Sequence, residues 1–331
     1  MSGAPAGPRA GLLEPGVLAR IDDLELVAKK VVDGFISGMH RAPYLGLSLD
    51  FAEHRAYMPG DDIRRIDWRL YARTDRYHVK EFEADTNTNF VVLLDVSRSM
   101  AFGGPMDGRA PAPTRGGVTP GRTASVPKLT YARMLAASLA VLAARQRDRV
   151  GLITFDDDIV DYVPPSAKHL DVMLHTLDTM KPGSAGGLVR PLHKAVELLR
   201  RRGVVVVISD LYEEPESVAD AVRALRYAGH DVLVFHLLDP AELEFPFDAA
   251  QSFEDLETGE RIPVIPDALR ERYRELVAGH VATLRRLLRA DRIDYAMIDT
   301  AQPLDQALFS VLSERARLQR AGAGRREGGG A

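Results

Sequence analysis

The stretch Phe90-Val91-Val92-Leu93-Leu94, followed by Asp95-Val96-Ser97-Arg98-Ser99-Met100, constrains this chain more than any other. Five apolar residues without a polar interruption suit a strand buried on both faces, the state of a central parallel strand. A carboxylate and two hydroxyls then occupy every second position, where the strand should end and a loop begin. Open α/β sheets hold ligands at the carboxyl ends of their strands, beside the point where strand order reverses. A D-x-S-x-S loop at that place can aim three oxygens at one hard cation, which prefers carboxylate, hydroxyl and water ligands. The same residues can instead form a turn that caps the next helix.

A second strand end favours the cation. Gly203 precedes Val204-Val205-Val206-Val207-Ile208, another buried strand, which ends in Ser209-Asp210. Two strand ends that both supply acids are what a site at the top of a parallel sheet requires. Val150 to Phe155 reads as a further buried strand, and Asp156, Asp157 and Asp158 follow it. Adjacent side chains diverge, so these three acids suit a hairpin turn better than a shared ion. Ile159 to Val163 then reads as a short edge strand closed by Pro164-Pro165. Strands at Val232–Leu237 and Ile293–Ile298 complete the set. Between the strands, helical spacing covers Thr130–Gln146, Leu170–Met180, Leu188–Arg201, Pro215–Tyr227, Asp267–Arg289 and Leu304–Leu318. The alternation predicts an α/β fold: a mostly parallel sheet with helices on both faces and right-handed crossovers.

The domain plan follows from composition along the chain. Residues 1–14 are rich in Gly, Ala and Pro and are expected to be disordered. Residues 15–87 form a small N-terminal α+β segment. It opens with an amphipathic helix over Leu18–Gly38, in which Leu18, Ile21, Leu24, Val27 and Val31 share a stripe. The charged stretch of this segment holds Asp61, Arg65, Asp67 and Trp68, the only Trp. These four are candidate partner-binding residues, because Arg pairs with carboxylates and stacks on aromatic faces. A structural salt-bridge lattice is the alternative. Residues 88–318 make the main domain, with a Gly/Pro-rich mobile loop over 101–127 and an acidic, aromatic insertion over 239–266. The insertion is expected to be a β-excursion on the sheet edge. A Gly-rich tail, 319–331, is expected to be disordered.

Composition narrows the chemistry. With no cysteine, the chain has no disulfide, thiolate nucleophile or thiolate metal site. A net charge of −4 and the lack of a basic stripe argue against nucleic acid. No apolar run approaches the roughly 20 residues that span a bilayer, and the N-terminus lacks a signal-peptide pattern, so a cytoplasmic location is expected. The nine histidines are scattered without metalloprotease spacing.

With these residues in view, the chain resembles the von Willebrand factor A fold. Asp95-Val96-Ser97-Arg98-Ser99 looks like its metal-ion-dependent adhesion motif, and Asp210 matches the later acid of that motif. The chain is more similar still to the bacterial domain-of-unknown-function family 58. That likeness is carried by Tyr57-x-Pro59-Gly60-Asp61, Arg65-Ile66-Asp67-Trp68, Ala72-Arg73-Thr74 and the D-x-S-x-S loop. Leu238-Asp239-Pro240 through Glu257-Thr258-Gly259-Glu260 adds to it. The resemblance implies a divalent cation, Mg²⁺ first, on Asp95, Ser97, Ser99 and Asp210. The wider fold has a threonine where this chain has Gly186, and Ser184 is the substitute ligand. The resemblance also implies a non-enzymatic adaptor that works with a MoxR-type AAA+ ATPase and other von Willebrand A proteins. The alternatives are a metal-dependent hydrolase or phosphotransferase using Asp95, and a structural scaffold with an inactive site.

Overall fold

The computed structural model describes residues 15–19, 21, 23–41, 54–56, 77–80, 88–104, 125–184, 186–247, 251–255 and 259–311. Asp61, Arg65, Asp67 and Trp68 lie outside the described residues. So do the two ends expected to be disordered and most of the expected mobile loop.

Six strands form the central sheet: β3 (Asn89–Asp95), β4 (Arg149–Phe155), β5 (Ile159–Ser166), β6 (Gly203–Ser209), β7 (Asp231–Leu238) and β10 (Asp294–Asp299). Their order is β10-β7-β6-β3-β4-β5. All neighbours run parallel except β5, which is antiparallel to β4. The chain goes from β3 outward through β4 to β5, then returns to the other side of β3 as β6. Strand order therefore reverses between β3 and β6, and the two run in register from Asn89 opposite Gly203 to Leu94 opposite Ile208. The mostly parallel α/β sheet is thus the one expected from the apolar runs. Two small antiparallel pairs lie outside it: β1 (His54–Ala56) with β2 (His78–Lys80), and β8 (Gln251–Glu254) with β9 (Arg261–Val264).

The unbroken apolar runs have a direct cause. Alternate residues of one strand enter two different cores, so no position is left for a polar side chain. Val92 and Leu94 of β3 join Val206, Ile208, Leu233 and Phe235 on one face. That face is covered by α2 (Leu24–Arg41), α3 (Lys128–Arg145), α4 (Leu170–Thr179) and a helical segment over 304–311. Val91 and Leu93 join Val205, Val207, Val232 and Val234 on the other. There the cover is α5 (Val189–Leu198), α6 (Pro215–Tyr227) and α8 (Pro266–Ala290).

Helix α3 is buried nearly all round, with fourteen of its eighteen residues inside. It lies between the sheet and α2, and its many alanines let both approach closely. The N-terminal helix starts later than its apolar stripe suggests. Leu18 closes a short helix, α1 (Pro15–Leu18), and Ile21 N–H turns back onto its carbonyl at 3.0 Å. Asp23 then accepts a 3.0 Å hydrogen bond from Leu26 N–H, a cap that sets the start of α2. Strand β5 runs past its expected end at Val163, through Pro164-Pro165 to Ser166. It sits at the sheet edge with a shift of register at this point, where a missing N–H costs little.

Just past α8 and its cap residue Asp291, Arg292 sits at φ +57°, a left-handed conformation that favours glycine. Arg292→Gly is expected to stabilise the protein by about 1 kcal/mol. A melting temperature that does not rise would contradict this account of the helix end.

Candidate functional site

At the switch point the ends of β3 and β6 stand side by side, and they carry Asp95 and Ser209-Asp210. Asp95 is 7% exposed. One of its oxygens accepts from Ser97 N–H at 2.9 Å, and the other accepts from the Ser209 hydroxyl at 2.6 Å. Ser209 Oγ also accepts from Leu211 N–H at 3.0 Å. That bond holds Leu211 at φ +50°, an uncommon conformation for a branched residue. One serine therefore fixes the Asp95 carboxylate and bends the chain after Asp210. Ser97 and Ser99 follow as a tight turn into a short 3₁₀ helix, Arg98–Ala101, and their hydroxyl oxygens lie 3.0 Å apart. Burial and the nearby Asp210 carboxylate push the Asp95 carboxyl up to about 7.

These groups open onto a cleft of about 350 Å³. Its walls include Asp95, Ser97, Ser99 and Asp210, so the structure brings four of the residues read from sequence together. Glu213 and Glu242 add carboxylates, and Phe102 and Tyr212 add rings. Ser184 is placed differently. Its hydroxyl donates to Asp156 at 2.9 Å and its N–H donates to the same oxygen at 3.1 Å. Gly187 N–H donates to the Asp156 carbonyl at 3.1 Å. The loop after α4 is thus tied to the end of β4, and Gly186 and Gly187, rather than Ser184, face the cleft. Ser184 therefore stands off the lining of the cleft, with its hydroxyl proton given to Asp156. Asp158 pairs with Lys194 at 2.5 Å and Arg190 at 3.1 Å, in keeping with its reading as a turn residue.

Two residues that sequence did not point to complete the site. Lys128, the first residue of α3, is wholly buried, and its ammonium donates to Asp210 and to Glu242, each at 2.7 Å. It also lies 4.7 Å from the Tyr212 ring centroid. Glu242 is fixed in turn by a capping box at the start of α7 (Pro240–Glu244), where its second oxygen accepts from Asp239 N–H at 2.7 Å. Burial opposes the charge on Lys128, but Asp210 and Glu242 outweigh it and hold the ammonium above the ordinary lysine range. Lys128 falls just before the helix expected from sequence at Thr130, and nothing in the local pattern marks it. Its partners lie 82 and 114 residues away.

The donor set suits a hard cation at the Asp95 corner. One desolvated carboxylate and two adjacent hydroxyls face space that can hold water, and Mg²⁺ characteristically keeps several waters. Among the described residues no three His, Asp or Glu side chains converge as a ready metal cage. An ion there would rely on hydroxyl and water oxygens beside Asp95.

The insertion is more built than a plain excursion. Phe245, Phe247 and Phe253 pack ring on ring, and Phe245 lies 4.6 Å from Tyr273 of α8. The acid–aromatic alternation thus encodes a small core against a helix.

Residues 53–109 and 119–283 match the family described as "Protein of unknown function DUF58". The uncharacterized protein Mb1516 of Mycobacterium bovis is 31% identical over 292 residues, 86% of this chain and 85% of that protein. Among solved structures, BatB from Bacteroides thetaiotaomicron is 16% identical and aligns over 70% of this chain and 99% of its own, with a TM-score of 0.43. The SpRpn10 VWA domain is 12% identical over 66% of this chain and 92% of its own, with a TM-score of 0.36. The mostly parallel sheet with the D-x-S-x-S loop at its switch point is the α/β architecture expected from the sequence, and by the extent of its sequence match the chain belongs to the DUF58 family.

Proposed function

We propose that this chain is a non-enzymatic adaptor that docks a protein partner at the cleft between β3 and β6, through a divalent cation held by Asp95, Ser97 and Ser99. The supporting observation is the pre-arranged Asp95 carboxylate, locked by Ser97 and Ser209 beside two hydroxyls at a switch point. A cation held by one carboxylate keeps positions for water, and a partner's acid can replace one of those waters. The cleft walls offer acids, hydroxyls and rings. Among the described cleft residues the Lys128 ammonium is committed to two ion pairs and is not a free base. Resemblance to the family supports a MoxR-type AAA+ ATPase as the partner and Mg²⁺ as the ion.

The test uses the purified MoxR-type ATPase of the same host on a biosensor surface. Binding of the native chain in Mg²⁺ is expected to weaken at least tenfold in EDTA, and to the same extent in Asp95→Asn at constant Mg²⁺. Equal binding in all three conditions would overturn the cation-dependent reading.

A further inference from the structure

The Lys128 ammonium sits where a metal site would be expected to keep a free acid. Asp210 is the second acid of the switch point, yet one of its oxygens is bonded to Lys128 at 2.7 Å. The ammonium cannot drift away. The backbone N–H of Lys128 donates to the Phe102 carbonyl at 2.9 Å and anchors the residue, its second partner Glu242 is locked by the capping box, and the Tyr212 ring lies beside the ammonium. Side-chain exposures of 0% for Lys128, 4% for Asp210 and 8% for Glu242 leave little water to screen the charge. A divalent ion bound directly to Asp210 would share that carboxylate with a buried positive charge at close range. An ion at Asp95, Ser97 and Ser99 would not share its ligand with the ammonium.

We propose that Lys128 is a positioning residue that keeps Asp210 out of the direct coordination sphere. The cleft then takes a divalent ion through Asp95, Ser97, Ser99 and water, and keeps its shape with no ion bound. This rests on the cation reading of the same cleft and deepens it. A built-in ammonium supplies the countercharge that Asp210 needs, so the ion becomes an exchangeable part of the contact rather than a structural one. The arrangement also predicts a weak, water-rich site, with open positions for an incoming carboxylate.

The test is calorimetric titration of the full chain with Mn²⁺. Water-proton relaxation counts the waters left on the bound ion. Asp95→Asn is expected to abolish binding, whereas Asp210→Asn changes the dissociation constant less than threefold. The double variant Lys128→Met with Glu242→Gln releases Asp210. It is expected to bind Mn²⁺ at least tenfold more tightly, with one water fewer on the ion, and to lose that gain when Asp210→Asn is added. A loss in Asp210→Asn as large as that in Asp95→Asn overturns the proposal. So does a folded double variant with no gain. If the double variant does not fold, the contrast between Asp95→Asn and Asp210→Asn in the native background decides. Binding by the double variant but not by the native chain upholds this role of Lys128 and removes cation-dependent docking. Binding by neither overturns both.

Discussion

Lys128→Met is expected to lower the unfolding free energy by about 3–5 kcal/mol, because it leaves two buried carboxylates without their counter-ion. The ammonium ties together three places that meet only in the folded state: the head of α3, the end of β6 and the start of α7. The methionine matches much of the lysine stem in volume, so lost packing contributes little, and the cost measures stranded charge. Adding Glu242→Gln removes one of the stranded charges and is expected to recover part of the loss. Urea unfolding at pH 7 measures both. A cost below about 1 kcal/mol for the single variant, the range of an exposed ion pair, would show that the pair does not anchor the top of the sheet.

Acid is expected to weaken the fold through His236. This residue is wholly buried on β7, with Nδ1 2.7 Å from the Tyr295 hydroxyl and the His280 ring 6.0 Å away. Burial, then the neighbouring His280 and Lys128, push its pKa down to about 3. In the unfolded chain an imidazole takes its proton near pH 6.5. Above that pH neither state is protonated and the stability is whole. As pH falls below 6.5 the unfolded state binds a proton that the folded state refuses until about pH 3, so stability is lost through that window. The loss from this residue is roughly 4 kcal/mol between pH 6.5 and about pH 3.5. Equilibrium unfolding across the window gives the slope of stability against pH. His236→Gln is expected to reduce that slope by close to one proton, and an unchanged slope would place the acid sensitivity elsewhere.

The parts of the fold that were legible in sequence are those set by local periodicity. Continuous apolar runs marked β3, β4, β6 and β7 because both faces of the sheet are covered, and α6 was readable to the residue from Pro215 to Tyr227. Element ends that depend on one hydrogen bond were less legible. Asp23 delays the start of α2, and the edge position of β5 lets it continue through two prolines. At the site, Asp95, Ser97, Ser99 and Asp210 were readable because strand ends announce themselves. Lys128 and Glu242 were not, since their meaning lies in each other, more than a hundred residues apart. The place of Ser184 was not legible for a related reason: only the fold shows that its hydroxyl donates to Asp156 while Gly186 and Gly187 line the cleft.

The register shift in β5 has a consequence for how copies of this protein behave in a crowded solution. An open sheet grows wherever an outer strand offers a row of unused N–H and C=O groups. Here one outer strand carries Pro164-Pro165, two residues with no N–H, opposite the narrow space at Gly151. A Cβ on Gly151 would lie 2.9 Å from the Val163 carbonyl oxygen, so the bulge and the glycine are matched to each other. The outer flank is thereby blunted against another β-ribbon, and runaway stacking of sheets is discouraged on that side. Recognition at the strand tips can then proceed without competition from self-association along the β5 flank.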